Sequence, residues 1–452
     1  MPADPSVLAG ARQIVQRCLG LRPDQELVIF VDETTVEPAV AIAEAAEALR
    51  VPHTVILVPV EVQRRIPMQT DLSLVAQGAA RDARAVLTCV NARPDCMAFR
   101  DRILETAWTA RTRIGHMPGA SLDVLRLADV DYDRLVDDCH RLEVALARGR
   151  TLELVSRDPQ GVEHRLTVDI GGWERLPVAS DGVIVDGAWG NVPSGETYIA
   201  PVEYTADGSV VIDGSIPGLA LEPGEHLIVY FAEGRLSAME PEDGRAARWL
   251  RETQIQRAQA SGDRNWSHLA EVGVGVNPAV SRLSGNMLFD EKAVGTAHVA
   301  LGSSIYMGGT IDASIHCDMV LHQPTIMVDD KVLVDRGQLH FVESDWRERY
   351  AQVDLATSPL RVAGRVTRSG IQVDTTADGR LQRVLRPEPG RVSNCFVGDD
   401  ETARLAQRLY ALVPDGGEWL AVDNLSARSG LEPEVVRQVL HVLWTYHLIR
   451  YR

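Results

Sequence analysis

Glycine-rich, strand-like segments between residues 190 and 321 carry acidic and histidine residues, which are the types that bind divalent metal ions. Carboxylate and imidazole together suit zinc, manganese, iron or cobalt better than a calcium cage or a thiolate site. The segments are GNVPSGETYIAP (190–201), HLAEVGVGVNP (268–278), LFDEKAVGTAHVALG (288–302) and IHCDMVL (315–321), and the candidates are Glu196, Glu271, Glu291, His298, His316 and Asp318. The set predicts a metal-dependent hydrolase.

The pair His316 and Asp318 has the spacing of two ligands on one strand face. In a strand, residues i and i+2 point to the same side, so both side chains can converge on one ion, and Cys317 faces the other way into the core. A histidine and an aspartate at this spacing, taken alone, more often form hydrogen bonds within the protein than a metal site.

The remaining candidates also have purely structural explanations. His298 can be a core histidine bonded to a carbonyl, Glu271 an edge-strand acid facing water, and Glu291 a helix-start or surface acid. Glu196 follows a Pro-Ser-Gly turn, where irregular backbone often presents functional groups. The set favours metal binding because a dinuclear site needs about five nitrogen and oxygen ligands. Five candidates can share one sheet face: Glu196, Glu271, His298, His316 and Asp318.

The elements that must position these residues change character along the chain. Residues 1–150 alternate strand and helix patterns, which predicts an α/β domain with a mostly parallel sheet. Residues 151–345 contain short alternating strands between Gly, Pro and Asp turns, with one helix near 244–261, which predicts a β-rich, antiparallel metallo-catalytic domain. No G-x-G-x-x-G follows the first strand, so a dinucleotide role has no support.

The C-terminal part is expected to form a β-rich extension or linker over 346–398 and a small winged-helix-like domain over 399–452. The last segment carries eight acidic and six basic residues, a net charge of −2. A winged helix that reads DNA is normally basic, so contact with a protein or peptide is favoured. A role in dimerisation or packing stays open, since fold alone does not assign function.

Composition limits the class of protein. The formal net charge of −17 argues against general nucleic-acid binding, which requires a basic surface. The sequence has no apolar run of transmembrane length and no signal-peptide pattern, which predicts a cytoplasmic protein with no membrane partner. Its six cysteines are scattered without C-x-x-C spacing, which fits a reducing compartment.

The motif blocks NVPSGETYIAP, AEVGVGVNP, LFDEKAVGTAHVALG and IHCDM resemble, in order, those of the M29 metallo-aminopeptidases of the aminopeptidase T and aminopeptidase S type. The resemblance extends over roughly residues 1–340. It implies an α/β domain joined to a β-rich catalytic domain, a homodimer, and two divalent ions (zinc, manganese or cobalt). By motif, the resemblance implies that the metal ligands are Glu196, Glu271, His298, His316 and Asp318.

The same resemblance implies release of N-terminal residues from a peptide substrate. Glu271 would bridge or flank the ions, Glu291 would transfer a proton to the leaving amine, and Tyr306 would hydrogen-bond the oxyanion. Tyr306 matches the family's tyrosine only with a one-residue shift, and the spacing from His298 to His316 is shorter than in typical members.

Two other functions remain open. Relatives of this peptidase group include mononuclear iron(II) dioxygenases that cleave dihydroxypyridine rings and share the H-x-D pair. The short loop before His316 favours that chemistry, whereas the two carboxylates Glu196 and Glu271 favour hydrolysis. A third function is a binding protein whose C-terminal winged-helix-like domain captures a carrier or leader peptide.

Overall fold

The computed structural model describes most of the chain, including every strand that carries a candidate ligand. It describes residues 4–64, 73–90, 96–109, 112–171, 175, 177–184, 189–340, 365–368, 372–375, 381–384, 392–396, 400–414, 418–445 and 448–451. Within these residues a parallel sheet and several antiparallel sheets are present. The general fold class, an α/β part joined to a β-rich part, is therefore confirmed.

Four strands near the N-terminus form the parallel sheet that the alternation of strand and helix patterns predicts. They are β1 (Leu27–Val31), β2 (His53–Leu57), β3 (Ala85–Thr88) and β4 (Arg113–His116), in the order β2-β1-β3-β4. A fifth parallel strand, Trp189–Asn191, pairs with β4 from beyond residue 150. The strand β1 is buried along its whole length, as expected for a parallel strand that is covered on both faces.

Seven helices accompany these strands among the residues described up to Arg148. They are α1 (Pro5–Gln13), α2 (Val36–Ala48), α3 (Val60–Arg64), α4 (Leu74–Asp82), α5 (Met97–Thr109), α6 (Leu122–Arg126) and α7 (Tyr132–Arg148), and a π-helical turn, Ile14–Cys18, continues α1. The helix α7 begins where the side chain of Asp131 accepts hydrogen bonds from the backbone N–H groups of Asp133 and Arg134, which is how an N-cap satisfies the free amides of a first turn.

The next part of the chain forms two antiparallel sheets. Its strands are β5 (Thr151–Arg157), β6 (Glu163–Asp169), β7 (Val178–Ser180), β8 (Trp189–Asn191, the fifth parallel strand), β9 (Glu196–Ile199), β10 (Asp207–Ile212), β11 (Ser215–Ile216), β12 (Leu219–Ala220), β13 (Leu227–Ala232), β14 (Arg235–Glu240), β15 (Leu269–Gly275), β16 (Thr296–Gly302), β17 (His316–His322), β18 (Thr325–Val328), β19 (Lys331–Asp335) and β20 (Gln338–Leu339). One sheet has the order β14-β13-β10-β6-β5-β18-β19-β20, and the other has the order β12-β11-β17-β16-β15-β9-β7. The second sheet carries the candidate ligands and is called the ligand sheet below.

The helix expected near residues 244–261 is present as one interrupted helical run. It consists of α8 (Arg245–Leu250), a π-helical turn (Arg251–Ile255) and α9 (Gln256–Ala260). A short helix, α10 (Met287–Asp290), precedes β16 and ends beside Glu291. One hydrophobic cluster contains buried apolar residues of both parts, from Val7 to Val334, so the parallel and antiparallel parts share a core.

A buried charged group lies within this shared core. His140 on α7 places Nδ1 2.8 Å from Oε2 of Glu143 and Nε2 3.3 Å from Oδ2 of Asp181. Burial opposes a charged imidazole, but the hydrogen bonds to the two carboxylates outweigh it and raise the pKa of His140 to about 10. His140 is therefore a structural cation at neutral pH.

The C-terminal residues have a hydrophobic cluster of their own. Three helices, Asp400–Leu412, Val422–Ser429 and Pro433–Thr445, accompany a small sheet in which β21 (Arg365–Arg368) lies between β25 (Leu420–Ala421) and β26 (Ile449–Tyr451). The strands β22 (Gln372–Thr375), β23 (Leu381–Val384) and β24 (Val392–Phe396) form another sheet. The segment predicted as an extension thus supplies Val366 to the core of the helical unit. The winged-helix assignment stays a prediction.

Helices able to cross a bilayer are absent from the described residues, because none of them is both long and apolar enough.

Candidate metal centre

Neighbouring strands of the ligand sheet bring the candidate residues to one face. In the strand register, Glu271 on β15 lies opposite Ala300 on β16, and Ala300 lies opposite Asp318 on β17. Because the residue between them carries only a methyl group, the two carboxylates can approach each other across it. On the other side of β15, Gly275 lies opposite Glu196 of β9. Five candidates on four adjacent strands therefore point to one region.

The side chains of this region contact one another directly. Nε2 of His298 lies 2.9 Å from Oε1 of Glu271, and Nε2 of His316 lies 3.1 Å from Oε2 of the same carboxylate. Nε2 of His316 is also 3.3 Å from Oδ1 of Asp318. Ligand atoms of Glu271, His298 and Asp318 all lie within 4.8 Å of one another. This compact group of two imidazoles and two carboxylates is called the ligand cluster below.

Two structural explanations of these residues are wrong. The strand β15 lies inside the ligand sheet between β16 and β9, and Glu271 is only 5% exposed, so Glu271 is not an edge acid facing water. His298 is fully buried and its Nε2 bonds to Glu271, so its ring does not use that nitrogen for a backbone carbonyl. Cys317 is buried on the opposite face, as the alternation of β17 requires.

Gly273 makes room for the His298 ring. The two residues are directly opposite in the register of β15 and β16. A Cβ on residue 273 would lie 2.1 Å from Nε2 of His298 and 2.2 Å from its Cε1. Only glycine leaves the imidazole free to lie across the strand and reach Glu271. The first glycine of the GVG sequence thus has a positional role in the ligand cluster.

Opposite charges hold the groups of the ligand cluster together. Burial opposes ionisation of every group, yet the hydrogen bond to Glu271 raises the pKa of His298 to about 9. Asp318 and Glu271 likewise raise the pKa of His316. In return, the charge of His316 outweighs burial and lowers the pKa of Asp318 to about 2, and the two histidines lower the pKa of Glu271. A bound cation would displace the imidazole protons.

Unpaired polar atoms show that this group fits a cation. Among the described residues, Oδ1 of Asp318 in the ligand cluster and Oε2 of Glu196 beside it are buried without a hydrogen-bond partner. The contact from His316 to Asp318 is close but lacks hydrogen-bond geometry. An unsatisfied buried polar atom costs about 1–3 kcal/mol, and a divalent ion would remove much of that cost by accepting oxygen and nitrogen lone pairs. The ligand cluster therefore suits one divalent ion.

Glu196 and Glu291 are bound by an ammonium group rather than by the histidines. Nζ of Lys292 lies 3.0 Å from Oε1 of Glu196 and also contacts Oε1 of Glu291. The Lys292 side chain is 1% exposed, and those of Glu196 and Glu291 are 3% and 13% exposed. The other oxygen of Glu196 lies 3.8 Å from Nε2 of His298. The surface explanation of Glu291 is wrong, and Glu196 is beside the ligand cluster rather than inside it.

The chemistry available at Glu291 follows from this burial. Burial and the negative charge of Glu196 raise the pKa of Glu291 to about 8, although Lys292 opposes the shift. A carboxyl group with such a pKa can hold or release a proton near neutral pH. The imidazole of His316 is 30% exposed, so the cluster is open to solvent on that side.

Tyr306 is the candidate that the structure places least fully. Its backbone lies in a short 3₁₀ turn, Ile305–Met307, in the connection between β16 and β17. Its side chain lies outside the described part of the chain, so its proposed hydrogen bond to an oxyanion stays a prediction. The connection itself is fastened by Arg175, which donates to the carbonyl of Gly308, and by Glu203, which accepts from the backbone N–H of Thr310 at 2.7 Å.

Sequence reasoning missed Lys292 and the two glycines of the GVG sequence. A signal for the lysine was present, because Lys292 and Lys331 are the only lysines in a chain whose other basic residues are arginines. A Cβ at Gly275 would lie 2.3 Å from the carbonyl oxygen of Ala293 and 2.6 Å from the carbonyl carbon of Lys292. The second glycine therefore lets the lysine segment approach β15.

Comparison with known proteins finds similarity of structure but not of sequence family. No protein-family model matches the chain, and no curated protein sequence matches it. Among solved structures, the chain is similar to 2,5-dihydroxypyridine dioxygenase from Pseudomonas putida KT2440, with a TM-score of 0.57 and 19% identity over 76% of this chain and 99% of the other.

A second similar structure is wild-type AmpT from Thermus thermophilus. Its TM-score is 0.54 and its identity is 17%, over 74% of this chain and 99% of that chain. Identities this low establish a shared fold and leave the function open. Both comparison chains are covered almost completely, so this chain has additional residues beyond the shared fold.

Proposed function

We propose that this chain is a metal-dependent enzyme that hydrolyses the N-terminal peptide bond of peptides. The observation that carries the proposal is the buried ligand cluster with a protonatable carboxyl group, Glu291, connected to it through Glu196 and Lys292. Amide hydrolysis needs an electrophilic centre and a group that delivers a proton to the leaving amine. AmpT, an aminopeptidase of similar fold, supports the same function.

A divalent ion at this position would act as a Lewis acid and would make a bound water acidic. The residues that would hold it are Glu271, His298 and Asp318, with His316 at the exposed side. Glu291 would carry the proton for the leaving amine, because its pKa of about 8 keeps a protonated fraction at neutral pH. Burial of the other carboxylates keeps bulk water from competing for these groups.

One specific observation favours a second function, a ring-cleaving iron(II) dioxygenase. Two histidines and a carboxylate that leave coordination positions open are the donor set of non-haem iron(II) oxygenases, and His298, His316 and Asp318 provide that set. The dioxygenase of similar fold supports this alternative. The two functions share the metal position and differ in the metal and the substrate.

Anaerobic purification, metal analysis and substrate assays separate the two functions. Zinc, manganese or cobalt together with release of N-terminal residues from short peptides supports hydrolysis. Bound iron, oxygen uptake with dihydroxylated aromatic rings and no peptide cleavage would contradict hydrolysis. They would support the dioxygenase function. A chain that binds no divalent metal refutes both.

The Glu291→Gln variant tests the proton-transfer role directly. It keeps the size of the side chain but removes the exchangeable proton, so we expect kcat for peptide hydrolysis to fall by roughly 10²–10⁴ while the metal content is unchanged. Glu240 lies on β14 in the other antiparallel sheet, and Glu240→Gln is the matched control with unchanged kcat. Equal activity of the two variants would contradict the role of Glu291.

We also propose that the C-terminal helical unit contacts a peptide or carrier, and that the chain forms a homodimer. The separate hydrophobic cluster of the unit and its net negative charge support a binding role distinct from catalysis. A chain that ends before β21, whose Val366 belongs to the core of this unit, should still cleave short peptides but lose activity on a long partner. Loss of both activities in a folded, metal-loaded protein would contradict that division of roles.

A further inference from the structure

Lys292 is a cation at the centre of a group of acids. Its ammonium group contacts a carboxylate oxygen of Glu196 and one of Glu291, and its side chain is 1% exposed. A buried ammonium is stable only when carboxylates and hydrogen bonds compensate for its lost hydration. These two contacts provide that compensation.

The backbone around Lys292 fixes the ammonium in this place. The carbonyl oxygen of Lys292 accepts a hydrogen bond from the N–H of Asn277 at 2.8 Å, and the carbonyl oxygen of Asn277 accepts one from the N–H of Val294 at 3.1 Å. The side-chain amide of Asn277 donates to the carbonyl of Ser194 at 2.7 Å, next to the Glu196 strand. Because Gly275 has no Cβ, the segment can pack directly against β15. The backbone of the lysine is therefore held against the ligand sheet by hydrogen bonds and packing, which fixes its side chain in the interior.

The carboxylates that Lys292 contacts are those a second metal ion would need. The ligand cluster uses Glu271, His298 and Asp318 for one ion, with His316 at its exposed side, so a second ion on the Glu196 side would take Glu196 and Glu291 as ligands. A protonated amine has no lone pair to offer a metal, and its charge repels a divalent ion placed within a few ångströms.

We propose that Lys292 replaces the second metal ion of a two-metal centre, so that this chain binds one divalent ion at the ligand cluster. The proposal rests on the metal binding in the proposed function but not on either reaction. It differs from the expectation of two ions drawn from the family resemblance. Lys292 then holds Glu196 and Glu291 in the positions that a second ion would otherwise give them.

Metal stoichiometry of the full-length protein tests this proposal without any activity assay. Metal-free protein is saturated with Mn²⁺, and bound ions per chain are counted by elemental analysis after removal of free metal. We expect about one ion per chain in the natural protein and about two in Lys292→Met, which keeps the length of the side chain but removes its charge. Lys331→Met is the matched control and should bind about one ion, because Lys331 is exposed on β19.

Spectroscopy keeps the test decisive if Lys292→Met does not fold. Electron paramagnetic resonance of the Mn²⁺-saturated natural protein should show isolated ions, whereas a spin-coupled manganese pair would overturn the proposal. A folded Lys292→Met that still binds only one ion would also overturn it, because another feature would then exclude the second ion. Failure of the natural protein to bind Mn²⁺, Zn²⁺, Co²⁺ or Fe²⁺ would refute the metal-dependent function itself, which is a distinguishable result.

Discussion

The close approach of Gly273 to His298 gives a prediction whose size follows from the structure. An alanine methyl group at residue 273 would lie 2.1 Å from Nε2 of His298, and the ring is fully buried, so it cannot move aside without breaking its 2.9 Å contact with Glu271. Loss of a hydrogen bond to a charged group costs about 1.5–3 kcal/mol, and extra atoms in a packed interior cost about 1–3 kcal/mol. We expect Gly273→Ala to lower the free energy of unfolding by about 2.5–6 kcal/mol.

Urea unfolding of metal-free protein measures this loss, and a metal titration of the same samples measures binding. Gly78→Ala is the matched control, because Gly78 is in α4 and the atom nearest to an added Cβ is 4.0 Å away. Because alanine is favoured over glycine in a helix interior, Gly78→Ala should raise the free energy of unfolding by about 0.5–1 kcal/mol. A Gly273→Ala protein that unfolds within about 1 kcal/mol of the natural protein, with unchanged metal affinity, would refute the placement of His298 against β15.

Three further predictions concern the charges of the fold. Loss of an outer-shell partner weakens metal binding by roughly 10–100-fold, and Asp318→Asn should weaken it by more than that. Calorimetric titration measures the affinity, and the control Asp335→Asn on β19 should leave it unchanged. The pKa of His298 is raised to about 9, so its stabilisation of metal-free protein is complete below its unfolded pKa of about 6.5 and is lost as pH rises through 9. Urea midpoints that stay constant from pH 6.5 to 10 would contradict this. His140→Ala should destabilise the protein by about 3–5 kcal/mol, because two buried carboxylates lose their partner, with metal stoichiometry unchanged.

The general fold was predictable because its signals are local. Apolar runs such as residues 26–33 and 84–90 correspond to β1 and β3, and turn-rich alternation marks the antiparallel strands. The parts of the chain before and after residue 150 share one core, and this was not predictable because it depends on the parallel pairing of β8 with β4. A strand of three residues leaves almost no periodic pattern to read.

The composition of the centre was only partly predictable, and Lys292 shows why. Residue types and strand spacing placed Glu271, His298, His316 and Asp318 on one face, where the structure brings them into contact. The inward direction of the lysine depends on the packing of its backbone against Gly275, a contact between residues that sequence spacing does not relate. A lysine in a charged dipeptide is ordinarily a surface residue, so local rules favoured the wrong environment.

The buried lysine also has an evolutionary consequence. Lysine codons differ by a single base from codons for asparagine, glutamate and methionine, none of which carries a positive charge. The ligand sheet, its glycines and its histidines would remain in place after such a change, while the carboxylates beside the cluster would lose their ammonium partner. In the proposed role of Lys292, one point mutation would therefore remove the group that excludes a second ion without rebuilding the fold.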